Sequence, residues 1–293
     1  MRLTSEAMAV LGRARLGMLA VNTGRWPLVN PAAFHFASGS LWMTTSRYAA
    51  KVSLARRDPR AAFLADGGSV CLLLQGVQEA YDLRSLRGQL RAALEGPGFY
   101  WSLAGYAAKN APFVAGYLLD LTAIPSEWWP QNRVVLRLRP SRATLITAPQ
   151  VPAPAVTGPA GLPRALWKAS RAYVCWTAGG APALAPALWA PAGAGAEAVM
   201  QGGRGPRAEG PGALVVESHH PYRPSLVRGA CLRGRLRPVG SAVGVMRRYG
   251  TTGGGTALRL EVRRITEWRG FQVVSRSPRV RSKPDAQAAS APG

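Results

Sequence analysis

The chain has 293 residues, a net charge of +23 and 47% hydrophobic residues, which fits a soluble globular protein of two ordinary domains. No run of about 18 apolar residues occurs, so we expect no transmembrane helix and no membrane partner. Its three cysteines lie far apart without metal-ligand spacing, which favours a cytoplasmic protein without a metal site, and its basic residues form no single face or tail that would indicate nucleic-acid binding.

The first half alternates short strands with turns behind an N-terminal helix. Helical spacing predicts helices at 4–15 and 49–56. Alternation of apolar and polar residues predicts strands at 16–21, 27–36, 41–45, 61–65 and 70–80. Such a series of hairpins closes most naturally as a small barrel. A helical, aromatic-rich insert is expected at 83–130, followed by another strand at 133–147.

The opening pattern then recurs in the second half. Three pairs of segments match in the same order: 13–32 with 168–187, 74–76 with 232–234, and 137–144 with 259–266. Ordered matches of this kind predict two copies of one fold.

These matches divide the chain into four parts. We expect a first barrel at 1–148, a Pro-rich linker at 149–164, a second and degenerate barrel at 165–274, and a disordered basic tail at 275–293. Within the second copy, the Gly/Ala/Pro-rich stretch at 190–212 is expected to be a long mobile loop.

One segment of the first half carries the residue types of a phosphate site. Three hydroxyl groups, a guanidinium and an ammonium group follow one another there: Thr44, Thr45, Ser46, Arg47 and Lys51. Hydroxyl and N–H groups at a helix start bind anions, arginine binds phosphate with two parallel hydrogen bonds, and lysine adds a point charge. A strand end capped before a basic helix has the same residue types, so local chemistry leaves both interpretations open.

The order of a Pro-containing strand, LWMTTSR, Lys51 and LARRDPRAAF resembles the pyridoxamine 5'-phosphate oxidase-like flavin-binding split-barrel superfamily. The resemblance is clear over 4–80 and 133–147 and weaker over 165–274. It implies a mainly β protein with helical insertions (α+β), in which two split β-barrels in tandem form an intrachain pseudo-dimer. It also implies that Thr44, Thr45, Ser46, Arg47 and Lys51 hold the cofactor's phosphate and ribityl chain. Further residues would border the ring: Asn30, Pro31, Ala32, Ala33, Gln75, Gly76 and, from the second copy, Trp268.

The function implied by the resemblance is that of a flavin-dependent oxidoreductase acting on a small organic substrate. FMN is the first choice of cofactor and a deazaflavin coenzyme the second, with one cofactor per chain between the two copies. Arg223, Arg228 and Trp268 are candidates for the wall opposite the phosphate site. The chain would be a monomeric pseudo-dimer or a homodimer.

The sequence leaves one alternative of another class open. A non-catalytic flavin- or heme-binding protein would keep the same phosphate site, and heme would call on one of the three histidines, His35, His219 and His220. The sequence contains no nucleophile, paired-carboxylate or zinc motif that identifies a catalytic residue.

Overall fold

The computed structural model describes residues 1–150, 172–201, 205–218, 223–251 and 254–278. Most of the predicted linker, and the tail from residue 279, lie outside the described residues. No helix in these ranges is long and apolar enough to cross a membrane.

The N-terminal half forms a closed barrel of six antiparallel strands in the order β1-β2-β3-β6-β5-β4. The strands are β1 (Leu16–Val21), β2 (Leu28–Ala37), β3 (Ser40–Ser46), β4 (Arg60–Asp66), β5 (Val70–Tyr81) and β6 (Arg133–Thr147). Alternate residues of each strand face inward, so that Leu41 and Met43 of β3 lie in the barrel core.

Five helices accompany this barrel. They are α1 (Ser5–Arg13), α2 (Ala50–Arg57), α3 (Leu86–Leu94), α4 (Pro97–Lys109) and α5 (Ala111–Leu119). Thr4 caps α1 by accepting a hydrogen bond of 3.2 Å from the Ala7 amide. Helices α3 to α5 make up the predicted insert, which ends in three short 3-10 turns at Leu121–Ala123, Ser126–Trp128 and Pro130–Asn132.

The second half repeats the order of the first. Its elements are β7 (Ala172–Ala178), β8 (Ala181–Ala192), β9 (Gly195–Met200), β10 (Gly210–Ser218), β11 (Arg228–Pro238), α6 (Val243–Tyr249), β12 (Thr256–Arg269) and β13 (Gln272–Arg276). The sheet runs β11-β10-β7-β8-β9-β12-β13, and an additional β11–β12 pairing closes six of its strands into a ring. Strands β7 to β12 thus have the same neighbours as β1 to β6, and the predicted fold class is confirmed. β13 is an extra strand that extends two residues into the predicted tail.

The register repeats as well, down to one irregularity. The β5–β6 ladder shifts between Gln75 and Gly76, and the β11–β12 ladder shifts between Arg233 and Gly234. A Cβ atom on Gly76 would lie 2.0 Å from the Arg139 carbonyl oxygen, and one on Gly234 would lie 1.9 Å from the Glu261 carbonyl oxygen. Both shifts therefore require glycine for the same reason, a close approach of the neighbouring backbone.

The predicted long loop at 190–212 is wrong in its first part. Residues 181–192 and 195–200 are strands β8 and β9, and β9 pairs with β12 as β3 pairs with β6. Small residues misled the prediction, because alanine is depleted in strands. Here Ala196 and Ala198 are buried in the core, where a small side chain allows close packing.

The two barrels share one apolar core cluster. Strand β8 packs on β4 and β5, and β2 packs on β10 and β11, so the contact is reciprocal. Outward-facing residues of the first barrel join the core of the second in this cluster, among them Met18, Ala20, Val29, Ala62, Leu64 and Leu73. Polar contacts border it: the Gln75 amide donates to the Pro182 carbonyl oxygen at 2.8 Å, and Tyr173 donates to Asp66 at 2.8 Å.

Cutting the chain after Ala148 tests this packing. The fragment 1–148 would expose the outward-facing apolar residues that now contact the second barrel, and we expect it to form dimers or aggregates because this surface has no cover. Size-exclusion chromatography with light scattering measures the mass. A stable, monodisperse monomeric fragment would contradict the shared core.

Gly76→Ala and Gly234→Ala test the repeated bulge. Each should lower the free energy of unfolding by about 1–3 kcal/mol or more, because the new Cβ atom overlaps a carbonyl group. Gly12→Ala in α1 is the matched control, since a Cβ atom there meets nothing within 4 Å. That control should be neutral or stabilising by up to about 1 kcal/mol. Denaturant unfolding checks all three, and equal effects would refute the close approach.

Candidate functional site

The predicted phosphate segment runs from the end of β3 into α2, and its side chains point to two sides of the barrel wall. Thr45 is buried, and its hydroxyl group has no hydrogen-bond partner in the described part of the chain. Thr44 alternates with it and faces the helical insert, where its hydroxyl group donates to the Tyr106 hydroxyl oxygen at 3.2 Å. Thr44 and Thr45 therefore cannot contact the same ligand oxygen.

Two further members of the segment are bound to the insert and to Asp82, the residue just before it. The Ser46 hydroxyl group donates to the Glu127 carbonyl oxygen at 2.5 Å. Arg47 forms an ion pair with Asp82, and its hydrogen bond to that carboxylate raises the pKa of Arg47 above its usual value. These groups link the strand end to the insert, and a ligand would have to compete with those partners.

Lys51 lies beside a second cation that the sequence analysis did not include. Burial, together with the nearby charge of Arg133, lowers the pKa of Lys51 to about 8. Arg133 donates a hydrogen bond of 2.6 Å to Thr44 Oγ1. Within the described residues no carboxylate forms an ion pair with either cation. Two like charges are thus held together on a half-buried surface, which is the local electrostatics of an anion site.

Aromatic rings from both halves of the chain lie next to this pair. The guanidinium of Arg133 is 5.6 Å from the centroid of the Tyr117 ring. Phe271, in the β12–β13 turn, lies 5.9 Å from Tyr117 and 5.7 Å from Trp128 between ring centroids. We call Tyr117, Trp128 and Phe271 the aromatic cluster. Because Phe271 belongs to the second barrel, this region lies at the junction of the two barrels.

The insert is fastened to the second barrel near this cluster. Arg223 Nε donates to Asp120 Oδ1 at 3.0 Å, and the Ser225 amide donates to Asp120 Oδ2 at 3.3 Å. These bonds hold the pKa of Asp120 below its usual value. Arg223 therefore serves as a structural link here, while Arg228 is exposed at the start of β11.

Two other predicted ring-bordering residues, Gln75 and Trp268, line a different cavity and the shared apolar core. Gln75 lines a cavity of about 810 Å³ between the barrels, whose walls include Arg142, Trp176 and Arg207 but none of the residues from Thr44 to Lys51. Gly76 is at the bulge next to Gln75. Trp268 is only 5% exposed and belongs to the shared apolar cluster.

The residues predicted on β2 divide between two environments. Asn30 and Pro31 are half-buried, and Ala32 and Ala33 are buried. Ala32 belongs to the core of the first barrel, whereas the preceding Val29 belongs to the shared cluster. This strand thus runs between the barrel core and the second barrel, with Asn30 and Pro31 as its more accessible positions.

The second barrel has no equivalent of the hydroxyl groups. Thr44 pairs with Val135 in the first barrel, and Val199 pairs with Ala257 at the corresponding place in the second. Met200 likewise takes the place of Thr45. The two threonine hydroxyl groups are therefore present at only one of the two equivalent strand positions.

The histidines give little support to heme. His35 lies against α4, where a Cβ atom on Gly105 would be 2.4 Å from His35 Nε2, so the helix backbone covers this nitrogen, one of the two that could bind a heme iron. His219 and His220 lie outside the described residues. Among the residues that the structure covers, no group of three or more potential metal ligands occurs.

Sequence reasoning missed Arg133, Tyr117 and Phe271. Arg133 could have been found, because antiparallel pairing of the third predicted strand with the strand after the insert places it opposite Ser46. Tyr117 and Phe271 had no such signal, since their positions depend on how the insert and the last hairpin fold back.

No family model and no curated protein matches the chain. It is similar to solved structures of three proteins: a pyridoxamine 5'-phosphate oxidase-related, FMN-binding protein from Nostoc punctiforme, a FAD-binding protein from Mesorhizobium loti and a NimC/NimA family protein from Clostridium acetobutylicum. Sequence identities are 16%, 17% and 16%, and TM-scores are 0.34, 0.31 and 0.30. The matches cover 50%, 49% and 48% of this chain and 87%, 94% and 86% of the respective neighbours. The strand order and register of the chain itself define its fold.

Proposed function

We propose that this chain binds a phosphorylated flavin-type cofactor, FMN first, at the junction of the two barrels and uses it as an oxidoreductase. The observation that carries the proposal is the pair of Lys51 and Arg133, two neighbouring cations with no carboxylate partner among the described residues. A phosphate dianion between them would relieve their repulsion and raise the pKa of Lys51 again by stabilising its charged form.

The residues around this pair suggest how the chain would hold such a cofactor. Lys51 and Arg133 would bind the phosphate, with Thr44 as a hydroxyl donor in place of its present bond to Tyr106. The aromatic cluster would offer flat surfaces for the ring system and keep water from it. When bound, a flavin or deazaflavin supplies hydride or electron transfer, so the chain itself needs no nucleophile.

The same residues suit a deazaflavin coenzyme, which also carries phosphate. They also suit a protein that binds a flavin without turning over a substrate. Reduction of the bound cofactor by a nicotinamide donor, followed by reoxidation with an added electron acceptor, would separate an oxidoreductase from a storage or sensing protein.

Replacing Lys51 tests the phosphate site. We expect Lys51→Met and Arg133→Met each to weaken FMN binding about 10- to 100-fold, because a charge-assisted hydrogen bond contributes about 1.5–3 kcal/mol. Quenching of flavin fluorescence measures the affinity. Arg87→Met, on the exposed side of α3, removes one positive charge elsewhere and should change the affinity by less than about twofold.

Riboflavin separates the phosphate site from the rest of the proposal. Because it lacks the phosphate, its affinity should be the same in Lys51→Met as in the wild-type chain. Equal losses for FMN and riboflavin would assign Lys51 to folding rather than to phosphate binding, and no binding of either ligand to the wild-type chain would refute the proposed function.

The low pKa of Lys51 predicts a pH dependence. In the free protein Lys51 is charged below about pH 8 and neutral above it. Phosphate binds the charged form, so FMN affinity should fall as the pH rises from 7 to 9.5. In Lys51→Met the affinity should be lower and nearly constant over this range. A wild-type affinity that does not change with pH would contradict the assigned role of Lys51.

A further inference from the structure

A second, smaller cavity lies between the barrels, away from the cationic pair. Its volume is about 280 Å³, and its walls come from both barrels and from the start of α5. Asp66 lies in β4, two residues after Leu64. Glu217 lies in β10, two residues after Val215. Since Leu64 pairs with Met18 and Val215 pairs with Tyr173, the two acids occupy equivalent positions of the repeated fold.

These equivalent acids have different surroundings. Asp66 accepts a hydrogen bond of 2.8 Å from the Tyr173 hydroxyl group and one of 2.8 Å from the Gly68 amide. Both carboxyl oxygens of Glu217 are buried and have no hydrogen-bond partner among the described residues. A buried polar group without a partner is costly, and native structures retain few of them.

The environment of Glu217 makes it a hydrogen-bond donor. Burial raises the pKa of Glu217 to about 8, so the carboxyl group is protonated at neutral pH. Besides the cations Arg13 and Arg15, the titratable groups that line the cavity with Glu217 are Tyr173 and Asp66, and Tyr173 already donates to Asp66. The Glu217 O–H group is therefore a donor of the cavity wall that has no acceptor.

The charges at the cavity, two guanidinium groups against the one carboxylate of Asp66, favour an anion over a cation. Arg13 and Arg15 line it and are exposed, and neither forms an ion pair with a described residue. The side of the cavity formed by Met18, Leu64 and Phe113 is apolar. The volume exceeds the cavity of about 150 Å³ that holds one benzene molecule, so a ring with one small substituent fits.

We propose that this cavity binds a small, mainly apolar organic acid, whose carboxylate accepts the hydrogen bond of Glu217. The arginines at the cavity attract the negative charge, and the apolar wall contacts the body of the ligand. The site is independent of the proposed cofactor site, because the two share no residue.

Benzoate is the probe, and benzamidinium is its cation of the same shape. We expect the full chain to bind benzoate saturably at pH 6.5 in isothermal titration calorimetry. Binding should weaken at least about tenfold at pH 9.5, where Glu217 is ionised and repels the ligand, since a hydrogen bond to a charged acceptor contributes about 1.5–3 kcal/mol. Benzamidinium should bind at least tenfold more weakly at pH 6.5.

Two variants at one position isolate the role of Glu217. Glu217→Gln keeps a donor of similar size, so it should bind benzoate at pH 6.5 about as well as the wild-type chain and retain that affinity at pH 9.5. Glu217→Leu removes the donor and should bind about tenfold more weakly at pH 6.5. Thermal unfolding confirms that each variant is folded, and if Glu217→Leu does not fold, the pH response of Glu217→Gln decides the question.

Three results would overturn the proposal. The first is that benzoate shows no saturable binding to the wild-type chain below about 10 mM. The second is that benzamidinium binds more tightly than benzoate. The third is that the affinity for benzoate falls equally with pH in the wild-type chain and in Glu217→Gln.

Discussion

The contact between the two barrels is the constraint on which the other features depend. Outward-facing residues such as Met18 and Leu64 are apolar and would be exposed in an isolated first barrel. Burying them against the second barrel extends the core across the boundary, at about 25 cal/mol for each Å² removed from water. Because β2 and β8 each pack on strands of the other barrel, the contact has the reciprocal form of a symmetric dimer interface inside one chain.

Within this near-symmetric frame the proposed functional groups are placed unsymmetrically. The first barrel has the cations Lys51 and Arg133, while the second has the apolar residues Val199 and Met200 where the first has Thr44 and Thr45. The insert belongs to the sequence of the first barrel only; its residue Glu127 binds Ser46, and Asp82, just before the insert, binds Arg47. The proposed anion site therefore uses fewer residues of the five-residue segment than the sequence predicts. It also needs Arg133, which follows the insert in the chain.

The strands and the repeat could be predicted because they depend on local signals. Alternating apolar residues mark β1 to β5, and the matched segments at 74–76 and 232–234 carry the same ladder shift in both barrels. The structure differs from the sequence-based prediction where a residue's conformation depends on a contact that is distant in the chain. The partner of Arg47 is Asp82, 35 residues away, and β9 is a strand of small residues that only its neighbours stabilise. No local pattern reveals either, nor that the buried carboxyl group of Glu217 has no hydrogen-bond partner among the described residues.

Joining two similar barrels in one chain also changes how a substitution acts. In a dimer of identical subunits, every substitution appears at both positions related by the symmetry axis. Here Asp66 and Glu217 occupy equivalent positions, yet Asp66 accepts a hydrogen bond from a tyrosine and Glu217 has no partner in the part of the chain that the structure describes. A substitution can thus change one half while the other half keeps its original residue. Equivalent positions of the two halves can therefore acquire different binding properties, which is impossible in a dimer of identical subunits.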